Sequence, residues 1–162
     1  MRLIALLGLA AALFVTPAMA QNAGQIAKVR GGASCAGCNL FQADLSGAER
    51  TGQNLSRSRL RQSDLSLAVM NRANFSGADL RDVNAYGGVF GGASFSGADL
   101  TNATFVGAYL EGANFSRANL TGTNFSGAEM DRASGLTQGQ LDRACGDEAT
   151  RLPRGLRIPV CR

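Results

Sequence analysis

Among its 162 residues the chain has no histidine and no tryptophan, and only 6% are aromatic. Without histidine, the Ser-His-Asp and Cys-His constellations of nucleophilic catalysis cannot be assembled. The same absence rules out c-type haem attachment, because Asn39 follows the CAGC stretch at 35–38 where that motif needs histidine. No apolar run reaches the roughly 20 residues of a membrane-spanning helix; the longest, Leu3 to Val15, has 13. The glycine-aspartate nonapeptide of calcium-binding β-helices is missing too. Acidic residues are frequent, but no two of them mark a cleft, so the sequence implies no enzyme, no metal site and no cofactor. Strong charge of one sign is also lacking. Residues 38–132 hold nine acidic and eight basic side chains, interleaved, and the positive excess sits in the tail at Arg143, Arg151, Arg154, Arg157 and Arg162. A nucleic-acid footprint needs basic residues gathered on one face of the folded body, and this arrangement excludes it.

What is present begins with a targeting segment. Residues 1–20 place Arg2 before the apolar run and end in Ala18-Met19-Ala20, small residues suited to a signal peptidase. We expect cleavage before Gln21, which leaves a mature net charge of +3, from 15 basic and 12 acidic residues once Arg2 is gone. No cysteine lies near the cleavage region, so the segment is not a lipoprotein signal. The expectation is a bacterial periplasmic or secreted protein with no stable membrane insertion after cleavage.

From Cys38 to Arg132 the chain divides without a gap into 19 units of five, such as ADLTN, ATFVG, AYLEG and ANFSR at 98–117. The central residue is Leu, Phe or Met in 17 of them, the exceptions being Arg50 and Ala85, and the residue two before it is usually Ala. Neither a helix, with its period of 3.6, nor a flat strand, with its period of two, repeats every five. Like residues also recur every 20: Leu40, Leu60, Leu80, Leu100 and Leu120 form one column, and Leu55, Phe75, Phe95 and Phe115 another. A second period of 20 thus overlies the period of five.

This pattern resembles the pentapeptide-repeat family, whose unit is A-(D/N)-L-x-x, throughout residues 38–132. The resemblance implies an all-β fold, a right-handed quadrilateral β-helix of nearly five coils, with the central residue and the small residue two before it pointing inward. With coils about 4.8 Å apart the rod is on the order of 23 Å long, and its two ends need caps. Some members of the family mimic DNA and protect DNA gyrase, but those are cytoplasmic and strongly acidic. A signal peptide and a charge of +3 speak against that role here.

The flanks supply the caps. Residues 21–37 hold a short helical lid stopped by Gly31 and Gly32, with Ile26 and Val29 facing the first coil, followed by the CxxC pair. Residues 133–162 begin with a capping box, Thr137 and Gln140, framed by Leu136 and Leu141, and Gly146 is placed to end that helix. In an oxidising compartment the even count of Cys35, Cys38, Cys145 and Cys161 favours disulfides. Joining Cys145 to Cys161 closes a loop worth about 3 kcal/mol on the chain-entropy model. For Cys35 and Cys38 two readings stay open, a local structural disulfide and a thiol-disulfide redox pair. No βαβ pattern of a thioredoxin-like fold surrounds them.

Arg50 breaks the central column, and an arginine cannot lie buried and unpaired. It is expected to reach toward the first-coil end, to Glu49 or a lid carbonyl. On the surface most outward columns are Asn, Ser, Thr, Asp and Gly. One corner differs: Val69, Val89 and Tyr109 stack 20 apart, Leu67, Tyr86 and Val106 adjoin them, and Glu49 and Glu129 bound the group. Such a patch marks contact with a partner. The functional expectation is a non-catalytic exported scaffold for protein–protein contact or self-association, its partner an unknown protein or a second copy. A redox protein using Cys35 and Cys38 is the alternative.

Overall fold

A computed structural model describes residues 21–162; the segment expected to be a signal peptide, residues 1–20, lies outside them. The chain is a β-solenoid. Parallel bridges join residues 20 apart in four ladders, one for each pentapeptide of the coil, from Asn39↔Arg59 to Asn114↔Ser134. We call the sides that carry the Leu40, Leu45, Arg50 and Leu55 columns the first to fourth.

Each rung is a reciprocal pair. The Leu100 N–H donates to Asn119 O at 2.9 Å, and the Asn119 N–H donates back to Ala98 O at 2.9 Å. Between rungs the chain turns: the Ala103 N–H donates to Leu100 O at 2.9 Å, and the fifth residue of the unit, Asn102, has φ +58°. A positive φ at the third residue of a four-residue turn is the type II geometry, which favours glycine. The fifth position from Gly37 to Gly127 keeps a positive φ throughout, yet eight of these residues are not glycine, Leu67 and Arg72 among them. A non-glycine residue there costs about 1 kcal/mol, so side chains at these sites are held against a local preference.

Inward, the central residues from Leu40 onward are buried in every unit except at Arg50, and the small residues in every unit except at Ala48, so both exceptions fall in the unit 48–52. Coil stacking brings like side chains into register. The Phe75 and Phe95 rings stack at 5.2 Å between centroids, as do Phe95 and Phe115, while Phe95 meets Phe105 edge-on at 5.6 Å. The Phe90 ring leans back along the chain toward Gly88. That ring fills the space a methyl on Gly88 would occupy, which is why glycine replaces alanine there.

At the N-terminal end, α1 (Ala23–Arg30) is started by Asn22, whose side chain accepts from the Gln25 N–H, and ended at Gly31. Its spacing of three buries Ile26 and Val29 against the first coil. The departures from the repeat are what hold this lid. Arg50 donates from Nη2 to Arg30 O and from Nη1 to Glu49 O (2.7 Å). Gln53, buried in a small-residue position, donates from Nε2 to Val29 O (3.1 Å) and Ala33 O (2.8 Å). Carbonyls at the end of a helix have no partner within it, and here the first coil supplies one. Arg30 adds an ion pair with Asp44 at 2.8 Å. Repeat geometry starts before Cys38: the Cys35 and Gly37 N–H groups already bond to Asn54 O and Ser56 O, each at 2.8 Å.

At the C-terminal end the ladder runs past Arg132 to Ser134, and then α2 (Gln138–Leu141) opens on the capping box of Thr137 and Gln140. Gln140 Nε2 also donates to Phe115 O and Ala118 O, both at 2.9 Å, which docks the helix on the last coil. Contrary to expectation, Gly146 does not end this helix. The helix stops at Leu141 with Asp142 as its cap, because Cys145 rejoins the solenoid opposite Asn124. Arg151 follows opposite Glu129, and Gly146 bridges Val160 in the returning tail.

Candidate contact surface

The sides differ in how their turns are satisfied. The N–H of a unit's fourth residue lies inside the turn and belongs to no ladder. On the first, second and fourth sides an Asn or Asp two residues earlier accepts it in most units, the exceptions carrying Arg59, Thr104 and Ser94 at that position: Thr101 N–H to Asp99 Oδ1 (3.1 Å), Ser126 N–H to Asn124 Oδ1 (2.9 Å), Ser116 N–H to Asn114 Oδ1 (2.9 Å). The second position of the repeat is therefore acidic or amide because it closes the turn. On the third side it holds Glu49, Val69, Val89, Tyr109 and Glu129, and among the described residues none of them makes this bond. The backbone N–H groups of Asn71, Gly91 and Glu111 on that side are left to solvent or to a partner.

All six residues singled out from the sequence lie on this side or on the corner leading to it. Val69, Val89 and Tyr109 are consecutive rungs of one ladder. The turns of Leu67, Tyr86 and Val106 stack beside it, with the Leu67 N–H bonded to Tyr86 O at 2.8 Å and the Gly87 N–H to Val106 O at 2.9 Å. Leu67 is 63% exposed, Tyr86 55% and Tyr109 38%; the three valines are half-buried. Leu67 leans one coil up, so that its Cδ2 covers Gly87. Tyr109 departs from the expected single corner: its ring tilts down over Gly91, toward the opposite edge of the side. The apolar surface therefore crosses the whole side.

Its far edge is a shallow groove of about 700 Å³, floored by Gly91, Gly92 and Gly112 between the arms of Arg72 and Arg132. Glu111 and Arg132 escaped sequence reasoning. Glu111 Oε2 accepts from Arg132 Nε at 2.7 Å, and the carboxylate side chain is only 9% exposed. Burial pushes the Glu111 carboxyl up, but the Arg132 guanidinium and the nearby N–H groups of Arg132 and Asp131 outweigh it and hold it below its ordinary value of 4.5. The doublet Gly91-Gly92 was the available signal for this notch.

The cysteines lie elsewhere. Disulfides join Cys35 to Cys38 and Cys145 to Cys161. Cys35 and Cys38 are 6% and 8% exposed in the first-coil end, below α1. The Cys145–Cys161 bond ties the returning tail to the last coil. Among the described residues no group of three or more His, Cys, Asp or Glu side chains is placed to hold a metal, and no helix is long and apolar enough to cross a membrane.

The sequence matches the family of pentapeptide repeats in eight copies, over residues 51–84, 79–117 and 98–134. No curated protein matches it. Among solved structures it is similar to HetL, a pentapeptide repeat protein involved in heterocyst differentiation regulation from the cyanobacterium Nostoc sp. strain PCC 7120. The identity is 26% and the TM-score 0.58, over 82% of this chain and 57% of that one, so the chain spans little more than half of HetL's length. It is also similar to a pentapeptide repeat protein from the Arabidopsis thaliana thylakoid lumen, at 30% identity over 62% of this chain and 56% of that one, with a TM-score of 0.34. A further pentapeptide repeat protein from Nostoc shares 26% identity over 86% and 91% of the two chains, with a TM-score of 0.36. The family match spans more than half of the sequence, and the 20-residue ladders repeat through and beyond it: the chain belongs to the pentapeptide-repeat family.

Proposed function

We propose that this protein is an exported, non-catalytic scaffold, a right-handed quadrilateral β-helix that uses its third side for protein contact or self-association. The sequence of residues 1–20 supports cleavage after Ala20 and a periplasmic or secreted location. One observation carries the reading. Four large apolar side chains are exposed among the described residues, and three of them, Leu67, Tyr86 and Tyr109, share this one side and its corner. Scattered single apolar residues are normal on a protein surface, whereas a contiguous set points to an interface.

The redox alternative draws no support from the burial of Cys35 and Cys38, since a partner thiolate needs access to the disulfide it attacks. Gyrase protection by DNA mimicry is equally unsupported, because the acidic and basic side chains of the repeat body nearly balance.

The test compares the mature protein with the Tyr86→Ser, Tyr109→Ser double variant, both immobilised for capture from native extract and both followed by light scattering. Both residues are outward-facing, so the variant is expected to fold and melt as the parent does while losing capture and self-association. Unchanged association and capture would overturn the reading.

A further inference from the structure

We propose that the occupant of the third side is a second copy of this chain, paired face to face and antiparallel about a two-fold axis through the third coil. The inference rests on the third side being a contact surface and specifies what covers it.

The argument comes from the register. Five coils carry the third side, and a two-fold axis across it at the third coil brings the first coil against the fifth and the second against the fourth. The same corners then face each other. At the near corner the fifth positions read Gly47, Leu67, Gly87, Gly107 and Gly127; at the far corner they read Gly52, Arg72, Gly92, Gly112 and Arg132. Inverting the coil order places Leu67 against Gly107 of the second copy, Arg72 against Gly112, and Arg132 against Gly52. Each non-glycine residue at a fifth position, Leu67, Arg72 or Arg132, therefore meets a glycine of the second copy. On the face itself Val69 meets Tyr109 of the second copy, Val89 meets Val89, and at the near corner Tyr86 meets Tyr86. The interface is isologous: each contact occurs twice, except those on the axis.

Charge agrees with the same register. Glu49 and Arg72 make no ion pair within their own chain among the described residues. In the antiparallel pair Glu49 faces Glu129, whose charge Arg151 of the same chain offsets from 4.0 Å, and it comes to the coil that carries Arg132, whose side chain is largely exposed. Arg72 comes to the coil that carries Glu111. The parallel alternative, with the axis along the rod, fails on both counts. It sets Leu67 against Arg72, two protrusions at one level, and Glu49 against Glu49. One side of a rod about 23 Å long is at the low end of specific interface sizes, so the pairing is weak, with dissociation in the micromolar range.

Single-cysteine variants of the mature protein read the register directly. Under mild copper-catalysed oxidation Tyr86→Cys is expected to cross-link to itself, while Glu49→Cys and Glu129→Cys each fail to do so alone. Mixed together, those two are expected to form the 49–129 cross-link, identified by peptide mapping so that exchange with the native disulfides is recognised. A melting curve for each variant confirms that it folds. Efficient Glu49→Cys self-cross-linking, or parent protein that remains monomeric at about 0.5 mM, far above a micromolar dissociation constant, overturns the proposal. Two further results separate it from the broader reading. Association that is lost in the Tyr86→Ser, Tyr109→Ser variant but gives no 49–129 cross-link overturns the antiparallel pair and leaves the contact surface standing. Association that persists in that variant overturns both.

Discussion

On the fourth side of the solenoid the outward column runs Asn54, Asn74, Ser94 and Asn114; on the third it runs Glu49, Val69, Val89, Tyr109 and Glu129, each in a parallel ladder of the same kind. Both sides bury their central residues apart from Arg50 at the start of the third, and both turn through a positive φ at the fifth from Gly52 to Gly127. The difference that recurs from coil to coil is at the second position. Asn54, Asn74 and Asn114 fold back to accept the Ser56, Ser76 and Ser116 N–H groups, so the fourth side closes its turns at every asparagine, while Tyr109 and the valines leave theirs open and put apolar surface in water instead. The comparison shows two alphabets in one repeat: inward positions specify the coil, and the second position decides whether a side is self-contained or wants a neighbour.

The largest predicted effect tests the shared half of that comparison. Phe95 stacks between Phe75 and Phe115, and Phe95→Ala should destabilise the protein by about 3–5 kcal/mol, the usual cost of truncating a buried phenylalanine, seen as a large fall in melting temperature. A loss below about 1 kcal/mol would mean that the aromatic column does not hold the coils together.

The sequence disclosed this inward half almost completely, because a period of five and a second period of 20 are written in the same leucines and phenylalanines. It disclosed the third side as well, because valine and tyrosine break a polar column. What it could not disclose is side-chain direction. The tilt of Tyr109 over Gly91 and the burial of Glu111 under Arg132 depend on missing neighbours in the next coil, which no local pattern records. The end of α2 was misjudged for a similar reason. Gly146 looks like a helix stop in one dimension, but ladder pairing of Cys145 with Asn124 governs that stretch. Arg50 and Gln53 read as irregularities, and their meaning came only with the α1 carbonyls above them.

A moderate effect separates the two sides. Asn114→Ala removes a turn-closing acceptor and should cost about 1 kcal/mol, measured by denaturant unfolding. Val89→Asn installs the same acceptor on the third side and should leave stability equal or slightly higher while weakening association. Equal costs for Asn114→Ala and Val89→Ala, with association untouched by Val89→Asn, would erase the distinction between the sides.

The smallest effect concerns acid. The Glu111 carboxyl is held below its ordinary value of 4.5 in the folded protein, net of burial, by Arg132 and neighbouring N–H groups. A group with a depressed folded-state pKa binds protons more readily when unfolded, so its stabilisation is complete above 4.5 and is lost as pH falls through the lower folded value. Glu111→Gln should therefore flatten part of the decline in melting temperature between pH 5 and pH 2.5 relative to the parent. Parallel curves would show that the Glu111–Arg132 pair does not contribute.

The most direct measurement is sedimentation velocity of residues 21–162 over a concentration series beside the Tyr86→Ser, Tyr109→Ser variant. If the third side is the contact surface of a dimer, the parent shifts from monomer to dimer with a micromolar midpoint, and the variant stays monomeric with an unchanged melting curve. A parent that sediments as a monomer throughout, or a variant that dimerises as tightly as the parent, would contradict that account.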